Sequence, residues 1–139
     1  MAVVATVPVV HGRVAPIFVG ETIVCLGTGP SLTRADVEAC RGRARVVAIK
    51  DAVFLAPWAD VLYCGEHRWW QHFGPTLTFA GPRYTLHQAC GQWATVLWAA
   101  PGHGLSRDPA RLVSGGVSGY QAINLAVLLG ASRIVLLGY

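Results

Sequence analysis

Residues 22–37, TIVCLGTGPSLTRADV, constrain the fold of this chain more than any other stretch. They open with Thr22–Leu26, an apolar run with the β-branched content of a buried strand. The run breaks at Gly27, Thr28, Gly29, Pro30 and Ser31 and restarts as a helix. Thr33 is placed as its N-cap, and Asp36, three residues later, completes an acidic variant of the capping box. Leu32 and Val37 take the N′ and N4 positions of a hydrophobic staple. A strand, a glycine turn and a helix start within so few residues form the first half of a βαβ unit. Such a helix start offers free N–H groups and the positive end of the dipole, which suit a phosphate.

The pattern repeats downstream. Helix one is expected over residues 34–41, closed by Gly42, and strand two over Arg45–Ile49, with Lys50 and Asp51 at its end. A short crossover broken by Pro57 leads to strand three at residues 61–64, followed by Gly65 and Glu66. An aromatic helix over 68–73, a loop over 75–82, strand four over 83–86 and a further short strand over 95–98 come next. Residues 101–109 read as a mobile connection rich in Gly and Pro. The last unit starts with a turn at Ser114, Gly115 and Gly116. Ser118 is the expected N-cap and Gln121 its capping-box partner. The nearly all-apolar helix over 119–129 ends at Gly130, a C′ glycine, and a buried strand is expected over 134–137. Residues 1–21, punctuated by Pro8, Gly12, Pro16 and Gly20, read as an N-terminal arm with one edge strand over 3–10. The domain proper then covers residues 22–139.

Strands alternating with short helices predict an α/β domain, a three-layer α/β/α stack on a mostly parallel sheet. Composition agrees: of 139 residues 53% are hydrophobic and only 13% charged, as suits a sheet covered on both faces. Net charge is +4, carried by arginine apart from Lys50, the one lysine. Arg41, Arg43 and Arg45 read as a solvated helix end rather than a nucleic-acid patch, because no aromatic residues are interleaved with them. No apolar run is long enough for a membrane span, and the N-terminus lacks a basic n-region, so a cytoplasmic location is expected. Cys25, Cys40, Cys64 and Cys90 contain no CxxC pair, and Cys25 and Cys64, inside strands, are expected as buried free thiols.

In parallel sheets ligands bind outside the carboxyl ends of the strands. The loops there carry the candidate site: Gly27, Thr28, Gly29, Pro30 and Ser31 after strand one, Lys50 and Asp51 after strand two, Glu66 after strand three, and Gly116, Ser118 and Gly119 at the start of the last helix. The first loop begins like the dinucleotide fingerprint but has Leu32 for the third glycine, and Pro30 removes an N–H donor. Asp51 stands where a ribose-binding acid would. A NAD-type dinucleotide, a compact nucleotide and a turn without ligand are the open alternatives, with a CMP- or UDP-type ligand expected over NAD. Lys50 is a candidate phosphate ligand. The pairs Cys64/His67 and His87/Cys90 have spacings that could suit zinc but match no finger, so no metal is expected. Trp69, Trp70 and Phe73 read as core or lid packing. His67 and His103 are the candidate general bases.

Gly27 to Leu32, residues 46–51, residues 57–63, Trp69-Trp70, and Ser118 to Asn124 through Leu136-Leu137-Gly138-Tyr139 together resemble a Rossmann-like family of phages and prophages, mostly of unknown function and similar to 6-hydroxymethylpterin pyrophosphokinases. More distantly, the G-x-G-P-S and Ser-Gly blocks are similar to bacterial sialyltransferases that use CMP-sialic acid. That resemblance implies a nucleotide or nucleotide-sugar ligand, with Gly27, Thr28, Gly29 and Ser31 facing phosphate or ribose and Ser118 and Gly119 closing the other side. Those enzymes have nucleotide-binding asparagines where Thr28 and Lys50 stand here, and their catalytic residues lie in a lid beyond the last strand of this chain. The resemblance therefore implies a glycosyltransferase-like domain, incomplete at its C-terminus. The alternative is a non-catalytic phage assembly module, forming homo-oligomers through an open sheet edge.

Overall fold

The computed structural model describes residues 11–139. Strand β1 (Thr22–Leu26) leads through the glycine loop to helix α1 (Arg34–Cys40), then β2 (Arg45–Ile49), α2 (Ala52–Leu55), β3 (Val61–Tyr63), α3 (His67–Phe73), β4 (Arg83–Thr85) and β5 (Thr95–Val96). β6 (Trp98–Ala100) and β7 (Arg111–Val113) follow, then α4 (Ser118–Leu128) and β8 (Arg133–Leu137). The main sheet has six strands in the order β5-β4-β3-β2-β1-β8, and every pairing in it is parallel. This is the expected Rossmann-like α/β build. The chain steps outward from β1 to β5 and then returns to β8 on the other side of β1. The order reverses there, which places the topological switch point beside β1.

Alternation along the central strands divides the core in two. Ile23, Cys25, Val47, Ile49, Val61 and Tyr63 face α4, packing with Ala122, Leu125 and Leu129. Val24, Leu26, Val46, Ala48, Leu62 and Cys64 face the other way, against Val37 of α1, Val53 of α2 and Trp69 and Trp70 of α3. Strands buried on both faces must be apolar at every position, which is why the sequence marks them so plainly. α1 begins as its residues dictate. The Thr33 hydroxyl accepts from the Asp36 amide, and the Asp36 carboxylate accepts from the Thr33 amide. Leu32 packs against the cluster holding Val37, completing the staple.

Four features depart from expectation. β8 is not fully buried: among the described residues it pairs only with β1, and it leaves Val135 38% and Leu136 46% exposed. Residues 98–100 and 111–113 form a separate two-stranded parallel sheet, where residue 98 was expected to end a strand and residues 111–113 belonged to no expected element. The Gly- and Pro-rich segment between them is held in place: Asn124 of α4 accepts from the Ser106 and Val113 amides and donates to the Ser106 carbonyl, while the Tyr120 hydroxyl donates to the Gly104 carbonyl. Residues 11–21 of the expected arm lie against the domain, with Val14 and Phe18 in the α4-side core and Gly12 bonded to Val96 of β5. The edge strand expected over residues 3–10 lies outside the described residues.

Candidate functional site

The carboxyl ends of β1, β2, β3 and β8 and the start of α4 surround one cleft of about 480 Å³, within the range of small-molecule sites. Gly27, Thr28, Gly29, Lys50, Glu66, Gly116, Ser118 and Gly119 all line it, so the loops expected to converge do so at the switch point. Pro30 and Ser31 lie beyond the lining. Asp51 turns away from the cleft. Its carboxylate accepts from the Trp69 indole N–H at 2.6 Å and ties β2 to α3, so it is not placed to hold a ribose in this cleft.

The glycines of the first loop are explained by what runs beside them. β8 leaves the sheet parallel to β1, and its exit crosses the loop. Gly27 N–H donates to the Leu137 carbonyl at 2.8 Å and Gly29 N–H to the Gly138 carbonyl at 2.6 Å. A Cβ at Gly27 would lie 2.6 Å from the Gly138 oxygen, and one at Gly29 2.7 Å. The two glycines therefore allow backbone to approach backbone, and their amides are already satisfied. α1 is also closed to an anion, because Thr33 and Asp36 cap its N-terminus. Of the two helix starts beside the cleft, that of α4 is the one without a side-chain cap.

α4 opens differently from the sequence expectation. Its N-cap is Val117, which has no side chain able to cap. Ser118 does not cap: its hydroxyl accepts from the Gly65 amide at 3.1 Å, across the exit of β3. Gln121 does not close a capping box either. Its carbonyl oxygen accepts from the buried Tyr63 hydroxyl at 2.6 Å and its amide nitrogen donates to the Ser114 carbonyl at 2.9 Å. Both side chains are consumed by partners distant in sequence, which local spacing could not reveal. The first-turn amides of this eleven-residue helix are left without a side-chain acceptor and carry the positive end of its dipole. Gly116, Val117, Ser118 and Gly119 bring that end to the cleft wall.

Tyr139 and Gly138 also line the cleft and were not among the expected site residues. The Tyr139 hydroxyl donates to the Gly119 carbonyl at 2.9 Å, laying its ring beside α4. Burial, reinforced by the neighbouring Cys25 thiol, holds the Tyr139 proton far above the ordinary phenol range. Cys25 itself, buried in the α4-side core, is pushed up to about 12 by burial.

Among the described residues Lys50 and Glu66 are the only charged side chains lining the cleft, and they form an ion pair with each other. Lys50 is the one described non-glycine residue at positive φ, 53°. Its N–H donates to the Tyr63 carbonyl and its carbonyl accepts from Val53 N–H, so the backbone is pinned on both sides. A left-handed conformation costs a residue with a Cβ about 1–2 kcal/mol. A solvent-facing ion pair returns about 0–1 kcal/mol.

The other constellations stand apart from the cleft. The His67 and His87 rings stack at 4.5 Å between centroids, while Cys64 and Cys90 are buried in the core. Among the described residues no three His, Cys, Asp or Glu side chains are placed to hold a metal together. Neither His67, at the start of α3, nor His103, in an exposed loop, lines the cleft. Among the described residues no helix is long and apolar enough to cross a membrane. No family model matches the chain, and no curated protein matches it.

Proposed function

We propose that the chain is a nucleotide- or nucleotide-sugar-binding domain, of glycosyltransferase-like build, that holds its ligand in the cleft at the switch point. The observation that carries this reading is the start of α4, whose first-turn amides have no side-chain cap and reach the cleft wall beside β1. An anionic phosphate satisfies those amides and the helix dipole together. The remaining walls suit a compact phosphate–ribose unit: the Thr28 hydroxyl, the exposed flank of Tyr139 and two paired charges. A dinucleotide pyrophosphate laid along the first loop is disfavoured, because the Gly27 and Gly29 amides are committed to β8 and Pro30 has none. In a transferase of this build the α4 amides would stabilise charge developing on the departing phosphate.

Isothermal calorimetry with CMP, CDP, UDP and NAD tests the reading. Binding of a pyrimidine nucleotide with NAD weaker is expected; tighter NAD binding, or no binding at millimolar ligand, overturns it. A second reading, a binding module without turnover, is favoured by one observation: both candidate histidine bases lie outside the cleft. Release of free nucleotide from CMP- or UDP-sugars, followed by phosphorus NMR, separates the two.

A further inference from the structure

Lys50 is an energetic anomaly that the fold does not explain. Its backbone is held left-handed between the end of β2 and the start of α2 by hydrogen bonds to Tyr63 and Val53. Glycine would take that position without strain. The chain instead places there its one lysine. The ion pair with Glu66 does not repay the strain, because Glu66 has 57% of its side chain open to water. Strain retained at a cleft wall marks a side chain kept for something other than stability.

We propose that Lys50 is the anion-binding side chain of the cleft and that Glu66 holds it in reserve, so that a bound phosphate takes the Lys50 ammonium from the Glu66 carboxylate. This rests on the reading of the cleft as a nucleotide site and adds to it a specific charge and a built-in competitor. Glu66 lies at the exit of β3, and its carboxylate meets the ammonium in the cleft lining. Among the described residues no other charged side chain lines the wall. An entering phosphate finds the α4 amides on one side and the ammonium on the other. The flexible lysine stem lets the ammonium swing without moving the pinned backbone. The displaced carboxylate turns to water, where it already has most of its surface. Competition by Glu66 weakens anion binding and sets a threshold against stray phosphate.

Three variants test the proposal, with thermal unfolding in the absence of ligand and calorimetry against CMP and inorganic pyrophosphate as probes. Lys50→Gly is expected to melt at or above the wild-type temperature and to bind CMP at least about tenfold more weakly, the loss of one charge-assisted hydrogen bond. Lys50→Arg keeps the charge and is expected to retain binding. Glu66→Gln removes the competitor and is expected to bind both probes about threefold to tenfold more tightly. A clearly lowered melting temperature for Lys50→Gly assigns Lys50 to the fold and overturns the proposal. Unchanged CMP affinity in Lys50→Gly also overturns it, while leaving the nucleotide reading intact. Failure of the wild type and of Glu66→Gln to bind either probe at millimolar concentration removes both.

Discussion

Asn124 does more for this fold than its single side chain suggests. It is fully buried on α4 and makes three hydrogen bonds to backbone outside its helix, fixing Ser106 of the long connection and Val113 of β7. Replacing it with Ala leaves the buried Val113 amide and the half-buried Ser106 amide without their acceptor, and an orphaned buried donor costs about 1–3 kcal/mol. Asn124→Ala is therefore expected to lower stability by about 2–4 kcal/mol in urea denaturation, a loss at the upper end for one substitution. A loss within the noise of a surface substitution would mean that the connection is free of α4. Nothing in the sequence marked this residue, because its partners lie 11 to 18 positions away. Ser118 and Gln121 taught the opposite lesson. Their spacing is that of a capping box, yet the Gly65 amide and the Tyr63 hydroxyl claim them first. Thr33 and Asp36 have no such competitors at an exposed turn, and there the same spacing gave the cap expected.

At the scale of elements, β1, β2 and β3 and the helices between them were legible because each strand is a nearly continuous apolar run and each break carries its own turn chemistry. β6 and β7 were not. Each has three residues, and they exist only because α4 and residues 11–21 bring distant segments together. β8 shows the limit of reading burial from composition. Its apolar run is as dense as that of β2, yet among the described residues it has a strand on one side only. Val135→Lys is therefore expected to change stability by no more than about 0.5 kcal/mol, as at other exposed positions. The same change at Val47, fully enclosed between β1 and β3, is expected to prevent folding, because the ammonium would have no partner. Circular dichroism of the two variants side by side checks both outcomes, and unfolding of Val135→Lys would show β8 to be covered.

Across the whole molecule, two properties follow from how the sheet is enclosed. The first is a response to alkaline pH. Cys25 and Cys64 are free, buried, and pushed by burial from the ordinary 9.0 up to about 12. They stay protonated in the folded chain where the unfolded chain releases its protons, so the folded state binds more protons above pH 9.0. Stability from this source is fully present below that pH and is lost as pH rises through it towards 12. Denaturant midpoints measured across this range are expected to fall, and native-state thiol labelling is expected to reach half-buried Cys40 well before Cys25 and Cys64. The second property is the cleft. The parallel order placed it where strand exits diverge, and the sequence located most of its wall. The most direct measurement of its role is a titration of isotopically labelled protein with CMP, followed by amide NMR shifts. Saturable shifts concentrated at Gly116, Ser118, Gly119, Thr28 and Lys50 are the expected result. Shifts confined to another surface, such as the apolar groove between Phe54 and Phe73, or no shifts at millimolar CMP, would contradict it.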